Sequence, residues 1–420
     1  MKKILVVGII LLFLGSNLPL LAQAQEHTRP LSHILFVGGS GPGNYTKIQD
    51  AIDASSDGDT VFVYGGIYQE QLYINNKIRL IGESKNTTTI DALSSFYPNL
   101  ISINSSNVTV SGFTLQSNNV DIPIISTDNY PSKIKNLTIS GNIFSINESW
   151  CILYIPYTQS CIITDNIFNI NGQNWIYLRQ GNNSIISHNS FNANNSMDIV
   201  LLFMGNCTVN DNIMTSSRLE IDNCQNISIT KNRFTMYNRG IKVSDSQLIH
   251  ISNNTFLNRY ILLFPDYAIL IQDSSYITVN FNIIKNTISY SPNNGIVIRD
   301  CLCITISFNI INRSSKGINL ISSYGNSISN NLVYNCDFGI FIDESHDNVI
   351  SKNTFENNTI HARFLNSDGN NWNENYWGRP RILPKPIFGI KDMNRPRPGF
   401  FEFDWHPARQ PYNITTRGFQ

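Results

Sequence analysis

Acidic side chains recur at one position of a repeated phrase in this sequence. Asp245, Asp273, Asp300 and Glu344 each follow shortly after an apolar run, and Arg299 precedes Asp300. If equivalent positions stack, neighbouring carboxylates lie about 5 Å apart, raise one another's pKa, and can transfer protons or attract Ca²⁺. An arginine near such carboxylates suits a β-eliminating lyase or a glycosidase. These five residues are therefore the predicted catalytic candidates.

A structural explanation of the same residues stays open. Aspartate at the junction of a strand and a turn commonly bonds its own backbone and stabilises the turn. His346, two residues after Glu344, adds a second titratable group at the same turn. The pattern alone predicts the position of this column and leaves its role undecided.

A neighbouring set of outward positions combines aromatic and polar side chains. Such a mixture on a flat sheet suits stacking against sugar rings and hydrogen bonding to hydroxyls, although solvated surface is the alternative. The predicted binding residues are Tyr177, Glu220, Asp222, Lys242 and Phe341.

Metal-binding signals are weak. Cys301 and Cys303 form the one close cysteine pair, and the seven histidines have no ligand spacing. The seven cysteines are an odd number and are scattered, so they predict no disulfide framework. No metal ligands are assigned and the cofactor stays unknown, with Ca²⁺ as the ion that a carboxylate column favours.

The elements that position these side chains follow from an internal repeat. The phrase apolar, any, any, Asn, any, apolar recurs with steps of 24, 23, 23, 20, 22, 28, 27, 22, 22 and 22 residues. Its asparagines are Asn142, Asn166, Asn189, Asn212, Asn232, Asn254, Asn282, Asn309, Asn331, Asn353 and Asn375. A period near 22 is too short for βαβ units, which need roughly 30 residues. The sequence predicts an all-β, single-stranded, right-handed parallel β-helix with an inward asparagine ladder.

Both ends of such a solenoid need caps. Residues 45–54 form an amphipathic pattern that predicts a helix, and residues 61–63 begin the strands. After Trp377 the prolines and aromatic residues predict an irregular C-terminal lid. The predicted organisation is a signal peptide over 1–24, a lead and capping helix over 25–60, the β-helix over 61–377, and the C-terminal cap over 378–420.

The N-terminal residues and the composition indicate where the protein is located and which partners it lacks. Two lysines, an apolar run over 4–14 and Ala22-Gln-Ala24 have the order of a secretory signal, so we expect a secreted or cell-surface protein. No later segment is long enough to span a bilayer. Charged residues are 14% of the chain and net charge is zero, so no basic footprint for nucleic acid is present.

The opening residues Tyr45-Thr-Lys-Ile-Gln-Asp-Ala-Ile52, Gly58-Asp-Thr-Val-Phe-Val63, Gly66-Ile-Tyr68 and Ile78-Arg-Leu-Ile-Gly82 resemble the start of pectin-lyase-like β-helix proteins. The asparagine coils resemble the NosD-type branch, also called the carbohydrate-binding and sugar-hydrolase branch. Asn375-Tyr-Trp377, Phe403-Asp-Trp-His-Pro407 and Pro411-Tyr412 are similar to extracellular archaeal NosD-like repeat proteins.

The resemblance implies binding or cleavage of polysaccharide, or, for NosD, assistance in copper-centre maturation. The Gly-His-Gly and Arg-Ile-Lys motifs of polygalacturonases and the Trp-Ile-Asp-His motif of pectate lyases are absent. Three functions follow: a surface module that binds a polysaccharide or cell-surface glycan, a polysaccharide lyase or glycoside hydrolase using the acidic column, and a copper-binding accessory protein.

Overall fold

The structure, a computed structural model, describes residues 32–92, 99–117, 123–127, 133–147, 151–236, 239–258, 267–286, 293–390 and 400–414. The predicted signal peptide lies outside these residues. Strands make up 57% of the described residues and wind into a right-handed solenoid of about 14 turns, which confirms the predicted parallel β-helix. No helix within the described ranges is long and apolar enough to cross a bilayer.

Three parallel ladders form the walls of the solenoid, and each turn contributes one strand to each ladder. The first ladder contains the strands that precede the repeated asparagines. Its strands are Ile34–Val37, Thr60–Val63, Arg79–Gly82, Thr109–Ser111, Thr138–Ser140, Ile162–Thr164, Ile185–Ser187, Gly205–Asn210, Gln225–Thr230, His250–Ser252, Thr278–Asn280, Thr305–Ser307, Ser327–Ser329, Val349–Ser351 and Asn371–Asn373.

The second ladder follows the asparagines. Its strands are Gly66–Gln69, Thr88–Asp91, Thr114–Ser117, Ile143–Ile146, Ile167–Ile170, Arg233–Met236, Thr255–Asn258, Ile283–Asn286, Ile310–Asn312, Leu332–Tyr334, Thr354–Glu356 and Tyr376–Trp377. Two longer strands, Ser190–Leu202 and Ile213–Asp222, run through both the second and the third ladder.

The third ladder completes each turn. Its remaining strands are Leu72–Ile74, Ile101–Ile103, Ile125–Ser126, Cys151–Pro156, Asn174–Arg179, Ile241–Ser244, Tyr267–Gln272, Asn294–Arg299, Lys316–Ile321, Phe338–Asp343, Ile360–Leu365 and Lys385–Ile390. A separate pair, Ile134–Lys135 and Thr158–Gln159, stacks at a turn. The last strand, Phe400–Asp404, belongs to the C-terminal cap.

The asparagines form the buried ladder that the repeat predicts. In a typical rung, the backbone N–H of Asn254 donates to Asn282 Oδ1 at 3.0 Å, and Asn254 Nδ2 donates both to the same oxygen and to the Ile229 carbonyl. Asn232 donates to Asn254 in the same way. Each amide is therefore satisfied by the turns above and below, which a buried polar group requires.

Apolar residues two positions after the asparagines stack into a column. Phe144 and Phe168 have ring centroids 4.5 Å apart, and Phe168 and Phe191 are 4.8 Å apart. The repeat confines aromatic side chains to the core because successive strand residues face opposite sides of the wall.

Close contact between turns also explains the recurring glycine before an isoleucine. A Cβ added at Gly317 would lie 2.3 Å from a Val333 methyl carbon and 2.7 Å from the Gly339 carbonyl oxygen. A larger residue does not fit at this corner without moving the backbone.

The N-terminal end is covered by a short helix, as predicted. The helix spans Ile48–Ala54 and buries Ile48, Ala51 and Ile52. Glu70 accepts hydrogen bonds from the backbone N–H groups of Ile48 and Gln49 at 2.9 and 3.0 Å, which satisfies two donors at the helix start. The strand Ile34–Val37 precedes the helix and pairs with Thr60–Val63, so the segment predicted as a lead contributes a strand.

The C-terminal segment is more regular than the irregular lid that we predicted. Lys385–Ile390 and Phe400–Asp404 pair as antiparallel strands. Pro386 is tolerated because the pairing of its strand with the preceding turn begins only at Phe388.

Two carboxylates of this cap end the amide ladders. Asp404 Oδ2 accepts from Asn375 N at 2.9 Å and from Trp377 Nε1 at 3.0 Å. Glu402 accepts from Asn370 N at 3.3 Å, where a second asparagine ladder of Asn326, Asn348 and Asn370 ends. A carboxylate accepts hydrogen bonds and donates none. It is suited to this position because the described residues form no further rung to which an N–H could donate.

Candidate functional site

The predicted acidic column lies at the turn that follows the third ladder. Asp245, Asp273, Asp300 and Glu344 occupy equivalent positions, and Ser322 separates Asp300 from Glu344. All four acidic residues are exposed and have φ between 48° and 52°. Their backbone N–H groups donate to carbonyls of the next turn. The structure brings these residues into one line, and the left-handed backbone is one that aspartate tolerates better than β-branched residues do.

Arg299 is also exposed and lies in register with Gln272 and Ile321. It therefore belongs to the last outward column of the third ladder, next to the turn. No described side chain is recorded in an ion pair with Arg299, so its guanidinium is not locked onto the acidic column.

The predicted binding residues divide into two groups. Tyr177, Glu220 and Lys242 occupy one outward column of the third ladder, in which Val200 separates Tyr177 from Glu220. Asp222 lies two positions further along the same strand. Phe341 is in this column but several turns away, and only 9% of it is exposed.

The Phe341 ring is already covered. Lys316 Nζ lies 4.0 Å from the centroid of the Phe341 ring, and Phe338 packs edge-on at 5.4 Å. Phe341 therefore presents little ring surface for a sugar to stack on.

A network of four charged side chains lies on the outer face of the third ladder, here called the lateral patch. Arg218 Nη2 lies 2.8 Å from Asp198 Oδ2 and 2.9 Å from Glu220 Oε2, and Lys242 Nζ lies 2.7 Å from Glu220 Oε1. These side chains are only 15–25% exposed, so solvent screens them less than it screens ordinary surface ion pairs. Two carboxylates thus share one guanidinium nitrogen.

The electrostatics of the lateral patch follow from this crowding. Burial raises the pKa of Asp198 and outweighs its attraction to Arg218. Burial opposes the charge of Arg218, but Asp198 and Glu220 more than compensate and raise the pKa of the guanidinium. Burial, together with Asp245 and Glu220, also raises the pKa of Asp222. The lateral patch and the neighbouring Asp222 therefore provide two carboxyl groups that take up protons more readily than free aspartate.

Aromatic side chains border the lateral patch on its N-terminal side. Tyr154 and Tyr177 stack with ring centroids 5.8 Å apart and planes 3° apart. Trp175 is 41% exposed and lies in register with Asp198, which is in turn in register with Arg218. Rings and charged groups thus follow each other along adjacent columns of one wall.

Sequence reasoning missed Asp198, Arg218, Trp175 and Tyr154. The available signal was the alternation within each strand: Trp175 and Arg218 lie two positions before Tyr177 and Glu220, so they face the same side. Asp198 lies in a longer strand in which the step between turns changes, and this irregularity hid its alignment.

Metal-ligating side chains do not converge in the described part of the chain: no group of three or more His, Cys, Asp or Glu is placed to hold an ion. Six of the seven cysteines are buried. Burial raises the pKa of Cys151, Cys161, Cys224 and Cys336 to about 12, which keeps these thiols protonated. Cys303 is exposed.

The fold and the lateral patch define a β-helix protein with a polar and aromatic wall. Residues 42–264, more than half of the chain, match the family described as rhamnogalacturonase A/epimerase, pectate lyase-like. The chain therefore belongs to this pectate lyase-like family. Residues 196–382 also match the family described as periplasmic copper-binding protein (NosD).

Individual relatives are more distant. A pectinesterase of Aspergillus aculeatus is 37% identical over 89 residues, which are 20% of this chain and 25% of that protein. The chain thus spans about a quarter of the length of this relative. Among solved structures, tailspike protein 3 of bacteriophage CBA120 is 13% identical with a TM-score of 0.52, covering 85% of this chain and 66% of that chain.

A family 28 exopolygalacturonase of Yersinia enterocolitica is 11% identical with a TM-score of 0.41, covering 81% of this chain and 78% of that chain. At such identities the structural likeness concerns the fold, and the tailspike protein supports the β-helix architecture.

Proposed function

We propose that the protein is exported and binds a polysaccharide or cell-surface glycan along the lateral patch. The observation that carries the proposal is the alignment of Trp175 and the stacked Tyr154 and Tyr177 with the charge network. The exposed Trp175 ring suits the C–H face of a sugar, while carboxylates and cationic N–H groups suit hydroxyls. The pectate lyase-like family and the pectinesterase match support a carbohydrate ligand.

Local electrostatics support reversible binding by this patch. Arg218 holds the carboxylates of Asp198 and Glu220 in place, so these side chains lose little conformational entropy when a ligand binds. Arg218 Nε is buried and has no hydrogen-bond partner among the described residues, so the outer nitrogens of the guanidinium carry its contacts. A preorganised polar surface of this kind favours an extended chain over a small enclosed ligand.

The test is a polysaccharide array probed with the mature protein and read for retention and for new reducing or unsaturated ends. We expect retention of at least one glycan and an affinity loss of about tenfold or more in a Trp175→Ala/Tyr177→Ala variant, equivalent to about 1.4 kcal/mol. Tyr276→Ala is the matched control because Tyr276 is 57% exposed in the turn between a third-ladder strand and a first-ladder strand. Equal retention by all three proteins would contradict the proposal.

Catalysis is the second candidate function. The observation in its favour is that Asp198 and Glu220 lie within 2.9 Å of one guanidinium nitrogen, with the pKa of Asp198 raised by burial. A carboxyl group that keeps its proton can act as a general acid beside an ionised partner. Cleavage lost in Glu220→Gln would assign the reaction to the lateral patch, whereas cleavage lost only in Asp300→Asn would assign it to the exposed acidic column.

A copper accessory function remains as a third candidate because of the NosD match. Its test is a titration of the mature protein with Cu(I) and Cu(II), with Ca²⁺ in a parallel titration for the acidic column. Saturable binding of one equivalent of copper would favour this function, and Ca²⁺-dependent glycan retention would instead assign Ca²⁺ a structural part in glycan binding.

A further inference from the structure

The C-terminal cap carries a row of aromatic side chains far from the lateral patch. Phe401, Phe403 and Trp405 alternate along the chain, and Phe388 joins them from the paired strand. Ring centroids are 4.7 Å apart for Phe388 and Phe401, 6.2 Å for Phe401 and Phe403, and 5.1 Å for Phe403 and Trp405. All four residues are exposed, and Trp405 is 63% exposed.

The fold does not require these four rings to face solvent. The opposite face of the strand already supplies the carboxylates of Glu402 and Asp404 that end the amide ladders. Gly389 allows the cap to lie flat on the last turn, because a Cβ there would be 2.1 Å from the Phe364 ring. Among the described residues, the cap strands thus present the four rings on their outer face.

A cationic pocket of about 390 Å³ adjoins one end of this row. Phe388 lines the pocket together with His361, Arg363 and Lys385. None of Arg363, Arg381 and Lys385 forms an ion pair with a carboxylate within the described ranges, and Arg381 Nε is buried without a hydrogen-bond partner there. Burial, then the neighbouring Arg381 and Arg379, lowers the pKa of Lys385.

His361 lies close to the same positively charged side chains. Burial, then Lys385 and Arg381, lowers its pKa to about 4, so the imidazole is neutral at physiological pH. A bound anion would relieve the repulsion among these cations. The other end of the aromatic row borders a second depression of about 410 Å³, which Asp368, Asn371 and Glu402 line, so this end suits sugar hydroxyls and not an anionic group.

We propose that the aromatic row of the C-terminal cap and the adjoining cationic pocket form a second glycan site, selective for sugars that carry a carboxylate or a sulfate ester. The sugar rings stack along Phe388, Phe401, Phe403 and Trp405. The anionic substituent enters the pocket of His361, Arg363 and Lys385. Arg363 and Lys242 share one outward column and lie five turns apart, about 24 Å at the spacing of parallel strands, so this site is separate from the lateral patch.

Titration calorimetry of the mature protein with polygalacturonate, dextran sulfate and neutral dextran tests this site. We expect a polyanion to bind and neutral dextran to bind at least tenfold more weakly. The Arg363→Gln/Lys385→Gln variant should lose at least tenfold in affinity for the polyanion, and Trp405→Ala should lose several-fold. Lys352→Gln is the matched control, since Lys352 is an exposed lysine near the same end of the solenoid whose partner is Glu374.

The two polyanions identify the group that the pocket accepts: binding of polygalacturonate alone indicates a carboxylate, and binding of dextran sulfate alone a sulfate ester. Unchanged polyanion affinity in a folded Arg363→Gln/Lys385→Gln variant would overturn the proposal, as would equal binding of neutral dextran. A concentration-dependent dimer in light scattering that Trp405→Ala abolishes would also overturn it, because a second copy would then cover the row.

Two variants distinguish a wrong assignment of the lateral patch from a wrong assignment of the site on the C-terminal cap. The Trp175→Ala/Tyr177→Ala variant should keep its polyanion affinity at the C-terminal cap, and the Arg363→Gln/Lys385→Gln variant should keep the glycan retention of the lateral patch. Circular dichroism and thermal melting of each variant establish that it is folded before its affinity is interpreted.

Discussion

Removal of the Asp404 carboxylate should open the last turns of the solenoid. Asp404 is fully buried, and its Oδ2 accepts from Asn375 N, Asn375 Nδ2 and Trp377 Nε1, while Oδ1 accepts from His406 N. In Asp404→Ala, Asn375 Nδ2 keeps its bond to the Ile350 carbonyl, but Asn375 N and Trp377 Nε1 lose the partner that they have among the described residues.

The expected magnitude follows from these contacts. Each buried donor left without an acceptor costs roughly 1–3 kcal/mol, so the loss of two such bonds in Asp404→Ala should destabilise the C-terminal turns by about 2–6 kcal/mol. Asp404→Asn is the matched control because its amide oxygen can still accept from Asn375 and Trp377. It should cost about 1–2 kcal/mol, since charge-assisted bonds become neutral ones and the amide nitrogen faces the N–H of His406.

Hydrogen exchange is the appropriate assay because energetic coupling in a solenoid is strongest between neighbouring turns. In Asp404→Ala we expect faster exchange for the amides of Asn375 and Asn353 and little change at Asn189. Wild-type protection in Asp404→Ala would refute the role of this carboxylate as the end of the ladder. Equal damage in Asp404→Asn would show that its charge matters more than its acceptor geometry.

Four further predictions test other parts of the structure. Asn254→Ala should cost about 3–5 kcal/mol in urea unfolding because buried groups on both sides of the rung lose their partners. Gly317→Ala should lower thermal stability by about 1–3 kcal/mol through overpacking, and no loss would contradict the close contact between turns. The fold lowers the pKa of His361 to about 4, below the value near 6.5 of an unfolded chain, so protonation favours the unfolded state. The free energy of unfolding should therefore fall as the pH drops from 6.5 towards 4. His361→Gln should remove on the order of 3 kcal/mol of this decrease, measured by urea unfolding at each pH. Arg218→Met should raise the pKa of Asp198 further, observable by carboxyl NMR titration, and an unchanged pKa would argue against the shared guanidinium.

The solenoid could be predicted because one short phrase encodes both its period and its burial. Asn142 through Asn375 mark a turn each time, and residues such as Phe144 and Phe168 two positions later can stack only if the turns are in register. In this fold the residues that recur in the sequence are also the residues that contact one another, so the ladder could be predicted from spacing alone.

The candidate site could be predicted only in part. Tyr177, Glu220 and Lys242 were found because they share a column, whereas Asp198 was missed because the spacing between turns changes in its strand. The contact between Lys316 and the Phe341 ring could not be predicted, because it depends on side-chain conformation.

The C-terminal strands escaped prediction for a different reason. Prolines indicate broken strands, but Lys385–Ile390 pairs with the preceding turn only from Phe388 onwards, beyond Pro386. The carboxylates of Glu402 and Asp404 gain their significance from ladders that end far away in sequence, and no local pattern reports such contacts.

The most direct measurement of glycan binding is hydrogen exchange of the protein with and without a glycan that the array retains. Peptides covering Asn174–Arg179, the 197–202 segment and the 217–222 segment should exchange more slowly with ligand, and first-ladder peptides such as Ile185–Ser187 should not change. Slowing confined to other walls, or none at all at saturating ligand, would contradict the assignment of the lateral patch.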